Sequence, residues 1–110
     1  MKANELRIGN LFVDKKTKTI INIIGLTEQY ITFSGHFKND WQAKPIPLTE
    51  EWLLKFGFKN LSIGLFELIH NNVIGYRLSI EGQYGYEEIK YIHQLQNLYF
   101  ALTGEELTIK

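Results

Sequence analysis

Three runs of β-branched and aromatic residues, Leu11-Phe12-Val13, Ile20-Ile21-Asn22-Ile23-Ile24 and Tyr30-Ile31-Thr32-Phe33, are separated only by Asp14-Lys15-Lys16-Thr17-Lys18 and Gly25-Leu26-Thr27-Glu28-Gln29. Side chains of this kind favour pleated, half-buried strands, and connections this short force antiparallel neighbours. A fourth extended piece is expected around Ala43 to Pro47, because each proline of Lys44-Pro45-Ile46-Pro47 fixes its own φ and pushes the preceding residue out of the helical region. A meander followed by a fourth strand is the layout of a small, bent SH3-like barrel. Ser34 to Gln42, with Gly35, Asn39 and Asp40, reads as a loop.

Downstream, the hydrophobic period changes. Thr49 is placed to cap a short helix whose first turn carries Glu50 and Glu51; Trp52, Leu53 and Phe56 share one side. Gly57 ends it, with Phe58 folding back on Leu53. Ile63, Leu65 and Ile69, then Ile74, Tyr76, Leu78 and Ile80, alternate with polar or small residues around Asn71-Asn72. The spacing predicts a β-hairpin with a two-residue turn, Ile69 opposite Ile74 and Leu65 opposite Leu78. Gly82 to Gly85 reads as a turn, followed by a strand from Tyr86 to Lys90. From about Tyr91 to Leu102, Tyr91, Ile92, Leu95, Leu98, Tyr99 and Leu102 fall within about 120° of a helical wheel, the stripe of an amphipathic helix. Gly104 ends it, and Glu105 to Ile109 reads as a terminal edge strand. The expected fold is α+β: an N-terminal antiparallel SH3-like meander or barrel, a short helix, a β-hairpin and a C-terminal amphipathic helix.

With 110 residues the chain has room for one domain, 1–110, and its 45% apolar and 14% aromatic content suffices for a core without a staple. Twelve basic and twelve acidic side chains cancel, which argues against a polybasic arm. The balance is uneven along the chain: residues 1–60 hold nine Lys or Arg against six Asp or Glu, and residues 61–110 hold three against six. Without cysteine there is no disulfide framework, thiolate metal site or cysteine nucleophile. No apolar run approaches membrane-spanning length, and Met1 to Glu5 leads into polar sequence, so the expected place of action is the cytoplasm.

Little in the sequence carries chemistry. His36, His70 and His93 lack the spacing of a helical metal site, the glycines do not group as a phosphate-binding loop, and Ser34 and Ser62 lack the flanking residues of a nucleophile elbow. No catalytic residue, metal, cofactor or small-molecule substrate is expected. Phe100 projects at about 180° on the helical wheel, on the face opposite the apolar stripe, among His93, Gln96 and Asn97, with Gln94 also outside the stripe. Either the C-terminal Leu107 and Ile109 cover it, or these five residues form a surface for a protein partner or for self-association. The alternative partner is nucleic acid, met by Lys15, Lys16, Lys18, Lys38, Trp41 and Lys44, since an aromatic flanked by lysines on a small barrel suits a single strand.

Asn4 to Asn10 (NELRIGN), Pro45 to Phe58 (PIPLTEEWLLKFGF) and His93 to Leu107 (HQLQNLYFALTGEEL), the last being the most specific, together resemble a group of small uncharacterised bacterial proteins often carried in prophages and mobile elements. The resemblance implies the cytoplasm of a bacterial host, or a virion, as the place of action. The likeness spans nearly the whole chain and is looser in the middle hairpin. It implies an accessory protein acting through protein contacts rather than a metabolic enzyme, and brings no catalytic or ligand-binding residue with it.

Overall fold

A computed structural model of the chain describes residues 6–27, 30–34, 43–80, 83–84 and 87–110. The β-branched runs pair as their short connections require. β1 (Leu11–Asp14), β2 (Ile20–Leu26) and β3 (Ile31–Phe33) form an antiparallel meander, and β4 (Ala43–Pro45) pairs with the free side of β1, giving the order β3-β2-β1-β4. Pairing slips between Ile23 and Gly25, and such an irregularity bends a strand and increases its twist. The sheet is accordingly curled. Because side chains alternate along a strand, Phe12, Ile21, Ile23 and Phe33 share its inner face and close a small core with Leu6 and Ala43.

The proline-fixed segment after β4 leads into α1 (Glu50–Lys55). The Thr49 hydroxyl accepts from the Trp52 backbone N–H at 3.3 Å. Gly57, at φ +94°, lets the chain reverse, so that Gly57 N–H donates to the Leu54 carbonyl and Phe58 N–H to the Leu53 carbonyl, both at 3.0 Å. That is the double closure of a Schellman ending, and Phe58 and Leu53 are buried together as it requires.

A second antiparallel sheet follows, in the order β5 (Ser62–Ile63), β6 (Phe66–Asn71), β7 (Gly75–Ile80), β8 (Gln83–Tyr84). The β-hairpin is present, but its register differs from the one expected. Leu68 faces Leu78, Ile69 faces Arg77, His70 faces Tyr76 and Asn71 faces Gly75. The cause lies in the turn. The Asn71 side-chain oxygen accepts from the backbone N–H groups of Val73 and Ile74, both at 2.8 Å, stabilising a three-residue loop that closes at Gly75, φ +69°. The registration moves by three residues, an odd number, so the inward face of β6 exchanges with its outward one, while Tyr76 and Leu78 of β7 keep the core side. Phe66 and Leu68 are buried, whereas Leu65, expected inside, is fully exposed at the tip of the β5–β6 turn beside Gly64. Gln83 and Tyr84, expected in a turn, pair instead with Ile80 and Ser79.

The longest helix, α2 (Ile92–Thr103), begins where the apolar stripe predicts. Gln94 Oε1 accepts from the N–H groups of Lys90 and Tyr91, and Gly104 ends the helix at φ +74°. The expected terminal strand does not form. Leu107 folds into the main core, and Lys110 N–H donates to the Lys55 carbonyl. That core gathers Ile46, Leu48, Leu53, Phe56, Phe58, Phe66, Leu68, Ile89, Ile92, Leu95 and Leu107 between the two helices and the second sheet. Leu11 and Val13 pack against it from the outward face of β1, so β1 has a core on each side. Among the described residues no helix is long and apolar enough to cross a membrane.

Candidate functional site

The polar face of α2, expected to meet a partner, is largely turned inward. His93 and Gln96 are buried and Asn97 is half-buried. The His93 ring stacks on Phe12, centroids 5.0 Å apart and planes 16° from parallel, and on Tyr91 at 5.8 Å and 9°. Gln96 Oε1 accepts from the Leu11 backbone N–H at 2.8 Å and from Asn10 Nδ2 at 3.5 Å, while Gln96 Nε2 donates to the Gly9 carbonyl at 3.3 Å. Asn10 Nδ2 also donates to Asn97 Oδ1 at 2.8 Å, and Asn10 Oδ1 accepts from the Arg7 N–H at 2.7 Å. These amides join α2 to the entrance of β1. Gln94 remains exposed, but its oxygen is engaged in capping the helix.

Phe100, like Gln94, still reaches the surface, at 38% exposure. Arg7 lies over its ring: the guanidinium carbon is 3.9 Å from the ring centroid, and the same guanidinium donates to Asn97 Oδ1 and pairs with Glu106. A cation over an aromatic face and a carboxylate beside the cation form a closed cluster between the N-terminal segment, α2 and the tail. Part of the expected five-residue surface is therefore an internal seam, through His93 and Gln96, while Gln94 and Phe100 stay exposed. A helical wheel reports which residues share a side, not what stands opposite them.

The basic alternative is placed differently. Lys15, Lys16 and Lys18 are exposed in the β1–β2 turn, and Lys44 is exposed on β4 beside Val13. Lys38 and Trp41, like Phe37 and His36, lie outside the described residues. The turn is held by Asp14, whose carboxylate accepts from the backbone N–H groups of Lys16 at 2.9 Å and Thr17 at 3.5 Å. The Lys16 bond is the chief reason that the Asp14 carboxyl ionises below the ordinary aspartate range. A lowered folded pKa adds stability above the unfolded pKa and forfeits it as the pH falls through the folded one. Asp14→Asn is accordingly expected to lower the melting temperature at neutral pH, with the gap from wild type closing as both are titrated into strong acid. A gap independent of pH would assign no role to the charge.

An apolar groove, absent from the sequence-based expectations, opens where the tip of the second sheet meets the C-terminal end of α2. It encloses about 740 Å³ and is lined by Ile63, Leu65, Phe66, Leu78, Tyr99 and Leu102, with Ser79 and Thr103 beside them and the carboxylates of Glu67 and Glu105 on its walls. Among the described residues no lysine, arginine or histidine lines it. The last turn of α2 carries no basic residue, so the negative end of the helix adds to the two carboxylates. Leu65 is fully exposed and Leu102 is 57% exposed. Both were assigned to the core by pattern. The signal available for Leu65 was its position after Gly64, a place for a turn as well as a strand.

His70 is exposed and stacks on Tyr76 at 4.0 Å, whereas His93 is buried on Phe12. Among the described residues no three histidines or carboxylates gather as a metal site would require. Comparison with protein-family models, curated proteins and solved structures finds no match.

Proposed function

We propose that the chain is a non-catalytic accessory protein of the prophage or mobile-element kind, built on an SH3-like half-barrel and acting through protein contacts. The observation that carries the reading is the groove at the end of α2, where Leu65 and Leu102 stand in water next to an apolar floor. An exposed apolar concavity with a polar rim favours recognition by a partner, since burying it removes water from the apolar surface. The resemblance of the NELRIGN, PIPLTEEWLLKFGF and HQLQNLYFALTGEEL stretches adds the prophage or mobile-element setting.

Photocrosslinking in bacterial cells tests this. A benzoylphenylalanine placed at Leu65 is expected to yield discrete protein adducts, while the same probe at exposed Tyr30, on β3's side of the first sheet, does not. An absence of adducts at Leu65 would overturn the proposal. So would a salt-sensitive gel shift with single-stranded nucleic acid that disappears in Lys16→Glu/Lys18→Glu, because the basic turn would then be the working surface.

A further inference from the structure

The groove has its chemical complement on the same chain, at the curled sheet. Val13 stands opposite Ile20 on one side and Lys44 on the other. Directly paired residues project to the same face, so Ile20, Val13 and Lys44 form a row across three strands. Ile20 is about half exposed, Val13 beside it packs against the main core, and Lys16 and Lys18 stand exposed in the adjoining turn. This surface is apolar with ammonium groups around it; the groove is apolar with carboxylates and a helix C-terminus around it. The chain's charge imbalance, an excess of three cations over residues 1–60 and of three anions over residues 61–110, has the same polarity.

We propose that the groove of one copy receives the β1–β2 turn and the Ile20 end of β2 from a second copy, so that the chain assembles head to tail. The proposal rests on the protein-contact reading and names the partner. Two different patches meet in it, so the contact is heterologous: the assembly propagates until it closes as a ring or extends as a filament, rather than stopping at a two-fold dimer. Opposite charges around apolar centres set the register and exclude groove-to-groove pairing, which would bring Glu67 and Glu105 against their own copies.

Sedimentation of the full chain across a concentration series, at low and high salt, reads the association. Wild type is expected to form concentration-dependent oligomers that salt weakens. Lys16→Glu/Lys18→Glu alone and Glu67→Lys/Glu105→Lys alone are each expected to weaken association on the order of tenfold or more. Mixing these two variants, or combining all four changes in one chain, should restore it, which an unfolded variant cannot do. Circular dichroism of each variant confirms the fold. A chain that stays monomeric at every concentration overturns the proposal, and so does association that survives both charge reversals. If Leu65 crosslinks another protein while the purified chain stays monomeric, head-to-tail assembly fails and the protein-contact reading stands.

Discussion

Replacing Phe12 with alanine is expected to destabilise the protein by about 3–5 kcal/mol, measured by urea denaturation. Phe12 is fully buried, pairs in register with Ile21 and Pro45, meets the Phe33 ring edge-on at 5.4 Å and 73°, and carries the His93 ring on its face. Its ring thus belongs to the smaller core and to the seam with α2 at once. The other buried members of that core are Leu6, Ile21, Ile23, Phe33 and Ala43, too few to close over the void that truncation would leave. Set against a total of about 5–15 kcal/mol for a domain of ordinary stability, the variant should stand near its unfolding limit at room temperature. Leu65→Ala is the contrasting case. In the expected hairpin it would have cost as much as a core leucine, but with Leu65 exposed it should change stability by less than about 0.5 kcal/mol. Comparable losses in the two variants would refute both the observed hairpin register and the special place of Phe12.

Local chemistry explains which elements the sequence disclosed. The meander was legible because short polar connections leave antiparallel pairing as the only geometry, and α1 because Thr49 and Gly57-Phe58 satisfy its ends with groups only a few residues away. The hairpin was legible as an element but not in register. Asn71 suits either a two-residue turn or a loop held by its own side chain, and residue type does not distinguish them. Alternation then misled, since the stretch offers apolar residues at both parities: Ile63, Leu65 and Ile69 on one, Phe66 and Leu68 on the other. The role of α2's polar face was hidden for a different reason. Its amides are satisfied by Gly9, Asn10 and Leu11, more than eighty positions away in sequence, and no local pattern encodes so distant a partner. The groove was hidden in turn, because it is assembled from two leucines that pattern had assigned to the interior.

Gln96 provides the test of that long-range seam. It is 3% exposed, and its carboxamide serves both directions of hydrogen bonding: the oxygen accepts from Leu11 N–H and Asn10 Nδ2, and the nitrogen donates to the Gly9 carbonyl. Gln96→Leu keeps most of the volume but removes these partners, and an unmet buried backbone group costs about 1–3 kcal/mol, so a loss of about 2–4 kcal/mol is expected. Gln96→Glu separates hydrogen bonding from packing. The carboxylate can still accept from Leu11 and Asn10, but it cannot donate to Gly9 while ionised, and burial at this position opposes its charge. Its folded pKa should therefore rise above the unfolded value of about 4.3. The charge penalty is absent below the unfolded pKa and grows as the pH rises toward the folded one, so Gln96→Glu should lose stability relative to wild type between acid and neutral pH, whereas the Gln96→Leu deficit stays nearly constant. If the leucine variant matched wild type, the amides would be replaceable by apolar contact and α2 would be held by its Leu95 face alone. A constant deficit in Gln96→Leu would assign the joint between α2 and β1 to the Gln96 hydrogen bonds, while a deficit in Gln96→Glu that grows with pH would show that the position stays buried in the folded state, because burial opposes the charge.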